Sequence, residues 1–435
     1  MNPSVVQYSS CFSPKTRGGS SLAAFLELLQ MAYASVFIVL LSPIFWLVMY
    51  LIYRQYQRSH KMEILILGEA RKPMREKLGH ALFLGMLGGL MGTVFIMLLG
   101  ITVNMKDFAY IFPLALLLMF INMRFVCFSY AGGLLALSNL LFGFPSLNVS
   151  SILAIVAVLH LIESILMWFD GYKDAIPIFL KDSRFGIVGG FHIQRFWPIP
   201  FAVLLAVAGP LSGAKEISLP DWWPLFKQGM SMDHISLQIT AVVAALGYGD
   251  MAVANAPKDK SRKAAKRLVL YGTMLLILAA LSTGITAFKY LAAIFALLGH
   301  EAIILYGQRE ERNGIPIFRN RSHGITVLDV RPQSVGWRMK LQQGDIILKI
   351  NNRQVHSCEE IQEVLNQYPT YLWLEVQDMM GFVKTLEHKD YQRGIHSLGL
   401  VLVPKESEII FEPKPSFSLV MNFHKRFFKN KDHSI

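Results

Sequence analysis

The sequence predicts a polytopic α-helical membrane domain of about eight or nine spans, followed by a small α/β domain. Three observations predict it. Of the 435 residues, 53% are hydrophobic and only 17% are charged, a balance foreign to a string of soluble domains. Apolar runs long enough for a bilayer recur up to residue 306. Near residue 324 the pattern changes to short alternating strands, turn residues and one amphipathic helix. The net charge of +12 follows from basic loops facing anionic lipid on the cytoplasmic side, and needs no nucleic-acid partner. Cys11, Cys127 and Cys358 are too few and too scattered for a disulfide framework or a metal cluster.

Residues 1–30 read as a polar and interfacial segment, and 31–306 as the multi-span domain. The first span, 31–53, is interrupted only by Ser42-Pro43 and ends in the aromatic belt of Tyr50, Tyr53 and Tyr56. No cleavable signal is expected before it. Arg54, Arg58, Lys61, Arg71, Lys72, Arg75 and Lys77 place 54–77 in the cytoplasm, with MEILILGEA within it as a short interfacial elbow. The second span, 81–103, carries Gly85, Gly88, Gly89 and Gly92, which predict close approach of another helix. Spans follow at 108–122, 125–143 and 150–168, with Arg124 inside and the uncharged 143–149 outside.

The basic stretch 169–197 is again cytoplasmic. Further spans are expected at 198–212 and 235–249, with Trp222-Trp223 in an external interfacial loop between them. Lys258, Lys260, Arg262, Lys263, Lys266 and Arg267 give the second strong cytoplasmic signal. Residues 268–306 are long enough for two short spans with a turn near Lys289. The linker 307–323, with Arg309, Arg312, Arg319 and Arg321, then leads to a domain inside the cell. Nine spans with an external N-terminus satisfy these signals. The tail, 405–435, is basic, and Phe417 to Lys431 suits either an amphipathic helix on anionic lipid or a disordered basic tail.

Within 324–404, Gly324 to Val330 alternates as a half-buried strand, and Arg331-Pro332-Gln333-Ser334 breaks it. Gly344-Asp345 turns into the strand Ile346 to Ile350, and Asn351-Asn352 suits a hairpin because asparagine tolerates positive φ. Ser357 is placed to cap a helix with Glu359 and Glu360 in its first turn and Ile361 and Leu365 on one face. The strand-like runs YLWLEV and GFVKTL follow. This order resembles the PDZ family, in its circularly permuted bacterial form. The resemblance implies an apolar loop beside an exposed strand that captures a peptide's terminal carboxylate. It assigns that role to Ser397, Leu398, Gly399, Leu400 and Val401, facing Ile361 and Leu365 across a groove. Lys340 stands where the family usually has glycine, and a left-handed backbone there would be strained, so a different turn is expected.

Gly247-Tyr248-Gly249-Asp250 matches part of a potassium filter, but Ala245-Leu246 precede it and no pore helix does, so a glycine-rich helix exit is expected. His300-Glu301 begins a zinc-protease motif whose second histidine is replaced by Ile304. His160, Glu163 and Asp170 are too sparse to ligate without other spans. With no Gly-x-Ser-x-Gly elbow, P-loop or dinucleotide fingerprint, the expectation is no catalytic residue, no metal and no cofactor.

The layout as a whole resembles the MinJ family of Gram-positive division-topology proteins. The resemblance rests on LSPIFWLVMYLIYRQYQ, the glycine-rich span, LGYGDMAV before a basic loop, LLGHEAIILYG and the terminal domain. It implies an adaptor that links a polar scaffold, DivIVA, to the MinD ATPase and the MinC inhibitor. A membrane enzyme of the site-2-protease kind or a transporter, regulated by the terminal domain, stays open as the other class. The missing metal motif weighs against the first, and missing paired broken helices against the second.

Overall fold

The computed structural model describes residues 11–16, 22–121, 125, 127–208, 215–220, 222–226, 235–321, 323–406 and 410–411. They fall into two units. The first comprises 1–118, 125–177 and 191–317, and the second 119–124, 178–190 and 318–435. The predicted amphipathic helix of the tail lies outside the described residues.

The first unit opens with strand β1 (Cys11–Thr16) and helix α1 (Leu22–Val39). Helix α2 (Pro43–Leu67) follows a tight turn. Ser42 caps it, its hydroxyl accepting from Ile44 N at 3.2 Å, and proline takes the first helical position, where its missing N–H costs nothing. The expected first span is therefore two helices, and Ser42-Pro43 is a helix start rather than a blemish. No separate elbow follows, because α2 runs on to Leu67 before Gly68 closes it in a left-handed conformation.

Helix α3 (Met74–Leu99) has two faces. Phe83, Leu87, Met91, Phe95 and Leu98 form an exposed apolar stripe, while Gly85, Gly88, Gly89 and Gly92 are buried. Strand β2 (Thr102–Val103), α4 (Met105–Ile121), α5 (Phe128–Phe142) and α6 (Val149–Asp170) follow, and α6 is buried along most of its length.

The next segment departs from expectation. Strands β3 (Ile176–Asp182), β4 (Gly186–Ala208), β5 (Lys215–Leu219) and β6 (Ile235–Ala252) take the place of two spans. All 18 residues of β6 pair antiparallel with β4, from Phe191↔Ala252 to Ala208↔Ile235. Such a pair satisfies its facing backbone groups, which a lone apolar strand could not do. The other edge of β4 meets α3. Pro198 and Pro200 have no N–H to leave unpaired there, and their carbonyls lie against Gly85 and Gly89. A Cβ on those glycines would stand 2.0 and 1.9 Å from the two carbonyl oxygens. Ala202 N donates to Thr93 Oγ1 at 3.0 Å. Gly85 and Gly89 thus admit a strand, whereas Gly88 and Gly92 face Ile162 of α6. Gly247-Tyr248-Gly249-Asp250 is part of β6, with Tyr248 opposite Arg195, so it is neither a filter loop nor a helix exit.

Helices α7 (Pro257–Leu281) and α8 (Thr286–Asn313) form the two-helix reading of 268–306, with the turn at 282–285 and Lys289 inside α8. Among the described residues, five helices, α1, α3, α6, α7 and α8, are long and apolar enough to cross a membrane. Several buried charges in this unit are paired. Arg195 donates to Asp170 Oδ2 from Nε at 3.0 Å and from Nη2 at 2.6 Å, and Trp197 Nε1 donates to the same oxygen at 2.9 Å. Lys260 Nζ reaches Gly307 O at 2.9 Å and Asp250 Oδ2 at 3.1 Å, and Lys77 pairs with Glu63.

In the second unit β7 (Phe318–Arg319) pairs with Val188 and Gly189 of β4. A sheet of order β12-β11-β9-β8-β13 follows, built from β8 (Ile325–Val330), β9 (Ile346–Ile350), β10 (Arg353–Gln354, beside β9), β11 (Tyr371–Gln377), β12 (Val383–Lys389) and β13 (Leu400–Leu402). Short helix α9 (Val335–Arg338) and α10 (Cys358–Leu365) complete it. Val327, Ile347, Ile350, Leu372, Leu374 and Val376 fill its core.

Candidate functional site

The site begins at the turn after β8. Ser334 caps α9, its Oγ accepting from Trp337 N at 3.2 Å. Gly336 N donates to Leu398 O at 2.8 Å, and Arg331 N to Gly399 O at 2.9 Å. The turn thereby holds the loop 397–399 by its carbonyls. Gly399 sits at φ +65, and a Cβ there would stand 2.4 Å from Ser334 Cβ, so both backbone and space call for glycine. Gly399 N donates to Ser397 Oγ at 3.2 Å, and Ser397 is exposed.

Beyond the loop, Leu400 and Val401 enter β13, which pairs with β8 through Leu400↔Val330 and Val401↔Asp329. β13 ends the described sheet, so one row of its backbone groups is free to accept another strand. The helix opposite is set by Ser357, whose Oγ accepts from Glu360 N at 3.3 Å, while the Glu360 carboxylate accepts from His356 N at 2.7 Å. Burial first, and then the nearby Glu359 charge, push the Cys358 thiol up to about 11.

The structure gathers the seven residues named from sequence into one region but gives them different surroundings. Ile361, Leu365 and Leu398 are 3% exposed and belong to the core, with Leu400 packed against it; Ser397, Gly399 and Val401 reach the surface. Leu365 and Ile361 are therefore part of what holds the domain together. Lys340 adopts the left-handed conformation after all, at φ +64, as glycine would. The turn is kept and the lysine bears a strain of about 1 kcal/mol. Asn351 and Asn352, at φ +46 and +66, make the expected hairpin.

Residues 326–377 match the family model of the PDZ domain. Over 254 residues the chain is 25% identical to the cell division topological determinant MinJ of Bacillus subtilis (strain 168), covering 58% of this chain and 61% of that protein. The chain is therefore similar to MinJ, and its residues 326–377 are similar to a PDZ domain. It is also 29% identical over 84 residues to probable MinJ proteins of Lacticaseibacillus paracasei and Lacticaseibacillus casei (strain BD-II), 19% of this chain and 23% of theirs. The chain thus spans under two thirds of the length of these relatives.

Proposed function

We propose that this protein is a membrane-anchored adaptor in placement of the division site, and that it performs no chemistry. Its PDZ domain captures an extended peptide or C-terminal tail by strand addition along β13, with the Ser397–Gly399 loop receiving the terminal carboxylate. The observation that carries this reading is the Gly399 loop leading into an unpartnered edge strand, in a chain similar to named division-topology determinants. Its partners are a polar scaffold of the DivIVA type and a MinD-like ATPase with its MinC inhibitor. It works at the cell membrane, at septum and poles, with the PDZ domain in the cytoplasm and the helices in lipid.

The test is a membrane pull-down of these partners with the full chain, with residues 324–404 deleted, and with Gly399→Val. The valine is expected to displace the loop and cut recovery at least about tenfold while the protein still accumulates, because a Cβ cannot share the space with Ser334. Full recovery with the deletion would move binding to the helices, the loops or the tail.

A further inference from the structure

Among the described residues, three ion pairs are buried in the first unit, and a further group, of one cysteine and two buried histidines, is of another kind. We propose that Cys127, His160 and His300 hold a single zinc ion that ties helices α5, α6 and α8 together. Cys127 Sγ lies 3.1 Å from His160 Nε2 and 3.6 Å from His300 Nε2, and the three ligand atoms all lie within 4.8 Å of one another. With Zn–S near 2.3 Å and Zn–N about 2.0–2.1 Å, a tetrahedral centre separates sulfur from each nitrogen by roughly 3.5 Å. The observed edges of 3.1 and 3.6 Å bracket that figure.

Hydrogen bonding supports the same assignment. His160 Nδ1 lies 2.6 Å from Val156 O. A carbonyl only accepts, so the ring proton is on Nδ1 and the Nε2 lone pair points at the sulfur. This is the orientation that outer partners impose on metal-binding histidines. Cys127 caps α5, its sulfur accepting from Ser129 N at 3.4 Å, and the positive end of a helix favours the thiolate that a metal requires. A thiol has one proton and can donate it to one imidazole only, whereas a cation draws on all three atoms. The rings are also fixed. Tyr271 packs on both imidazoles, at 5.3 and 5.6 Å between centroids, and Tyr130 packs on His300 at 5.2 Å. His160 and His300 are 1% and 7% exposed, so the ion would sit inside the helix bundle, where soft nitrogen and sulfur donors select zinc over magnesium or calcium.

The experiment uses full-length protein in detergent, purified without a histidine tag, loaded with zinc alone and desalted. About one zinc per chain is expected by elemental analysis, falling below about a tenth in a Cys127→Ser/His300→Gln double variant. Because that variant risks misfolding, cobalt(II) is also titrated into the unaltered protein. It should give the intense visible bands of a tetrahedral site and a sulfur-to-cobalt charge-transfer band. Zinc absent from the loaded protein, equal retention by the double variant, a cobalt spectrum without the thiolate band, or copper retained in place of zinc would each overturn the assignment.

Discussion

At the scale of single residues, Cys358 offers the plainest pH test. Its thiol is pushed up to about 11, so at neutral pH it is a neutral thiol and a poor nucleophile. Preference for the neutral form stabilises the fold below the ordinary thiol range and is lost as pH climbs through 11. Alkylation at Cys358, followed by peptide mass spectrometry, should stay slow at pH 8 and accelerate only well above pH 9; rapid labelling at pH 7.5 would contradict the burial described. Much of the residue-level detail of the PDZ domain was legible, because Ser357, Asn351 and Asn352 act through neighbours in sequence. Cys127, His160 and His300 were not, since only the packing of three helices brings together positions so far apart. Lys340 misled for a different reason. The family's glycine marks a conformation, and a lysine can hold it when the surrounding hydrogen bonds fix the turn.

Elements show where periodicity runs out. The apolar runs 198–212 and 235–249 read as spans, yet each falls short of the roughly 20 residues a crossing helix needs. A continuous apolar run does not distinguish a buried strand from a helix; length and β-branched content do. Pro198 and Pro200 were a further sign, being ill-suited to a helix interior but harmless on a strand edge without a ladder. The glycines of α3 were read correctly as packing residues, and Gly88 and Gly92 do meet a helix, but Gly85 and Gly89 meet a strand instead. The two faces can be separated by substitution. Gly89→Ala puts a methyl 1.9 Å from a backbone oxygen and should cost on the order of 3 kcal/mol or more, whereas Gly92→Ala meets Ile162 at an ordinary 3.6 Å. Thermal unfolding in detergent should show a clear drop for the first and little change for the second. Equal behaviour would mean that α3 and β4 do not pack as described.

For the whole molecule, replacing two expected spans by strands leaves the parity of crossings unchanged, so the charge argument for one cytoplasmic side survives. Cysteines introduced at 75, 263 and 352 should all resist an impermeant reagent in intact cells and react once the cells are opened. Labelling at 352 alone would mean that 268–306 crosses once. The split of the first expected span has the opposite effect: if α1 and α2 both cross, the N-terminus moves to the cytoplasm. The long β4–β6 pair has a consequence for biosynthesis. Helices can leave the insertion machinery one at a time, because each satisfies its own backbone, but a strand cannot enter lipid alone. When β4 emerges its partner β6 has not been made, and what stands ready to receive it includes the Gly85–Gly89 face of α3, Asp170 of α6 and the short strands β2 and β3. The protein must therefore assemble around a half-finished sheet, shielded until residue 252 arrives, so that helix insertion and sheet pairing proceed as one event.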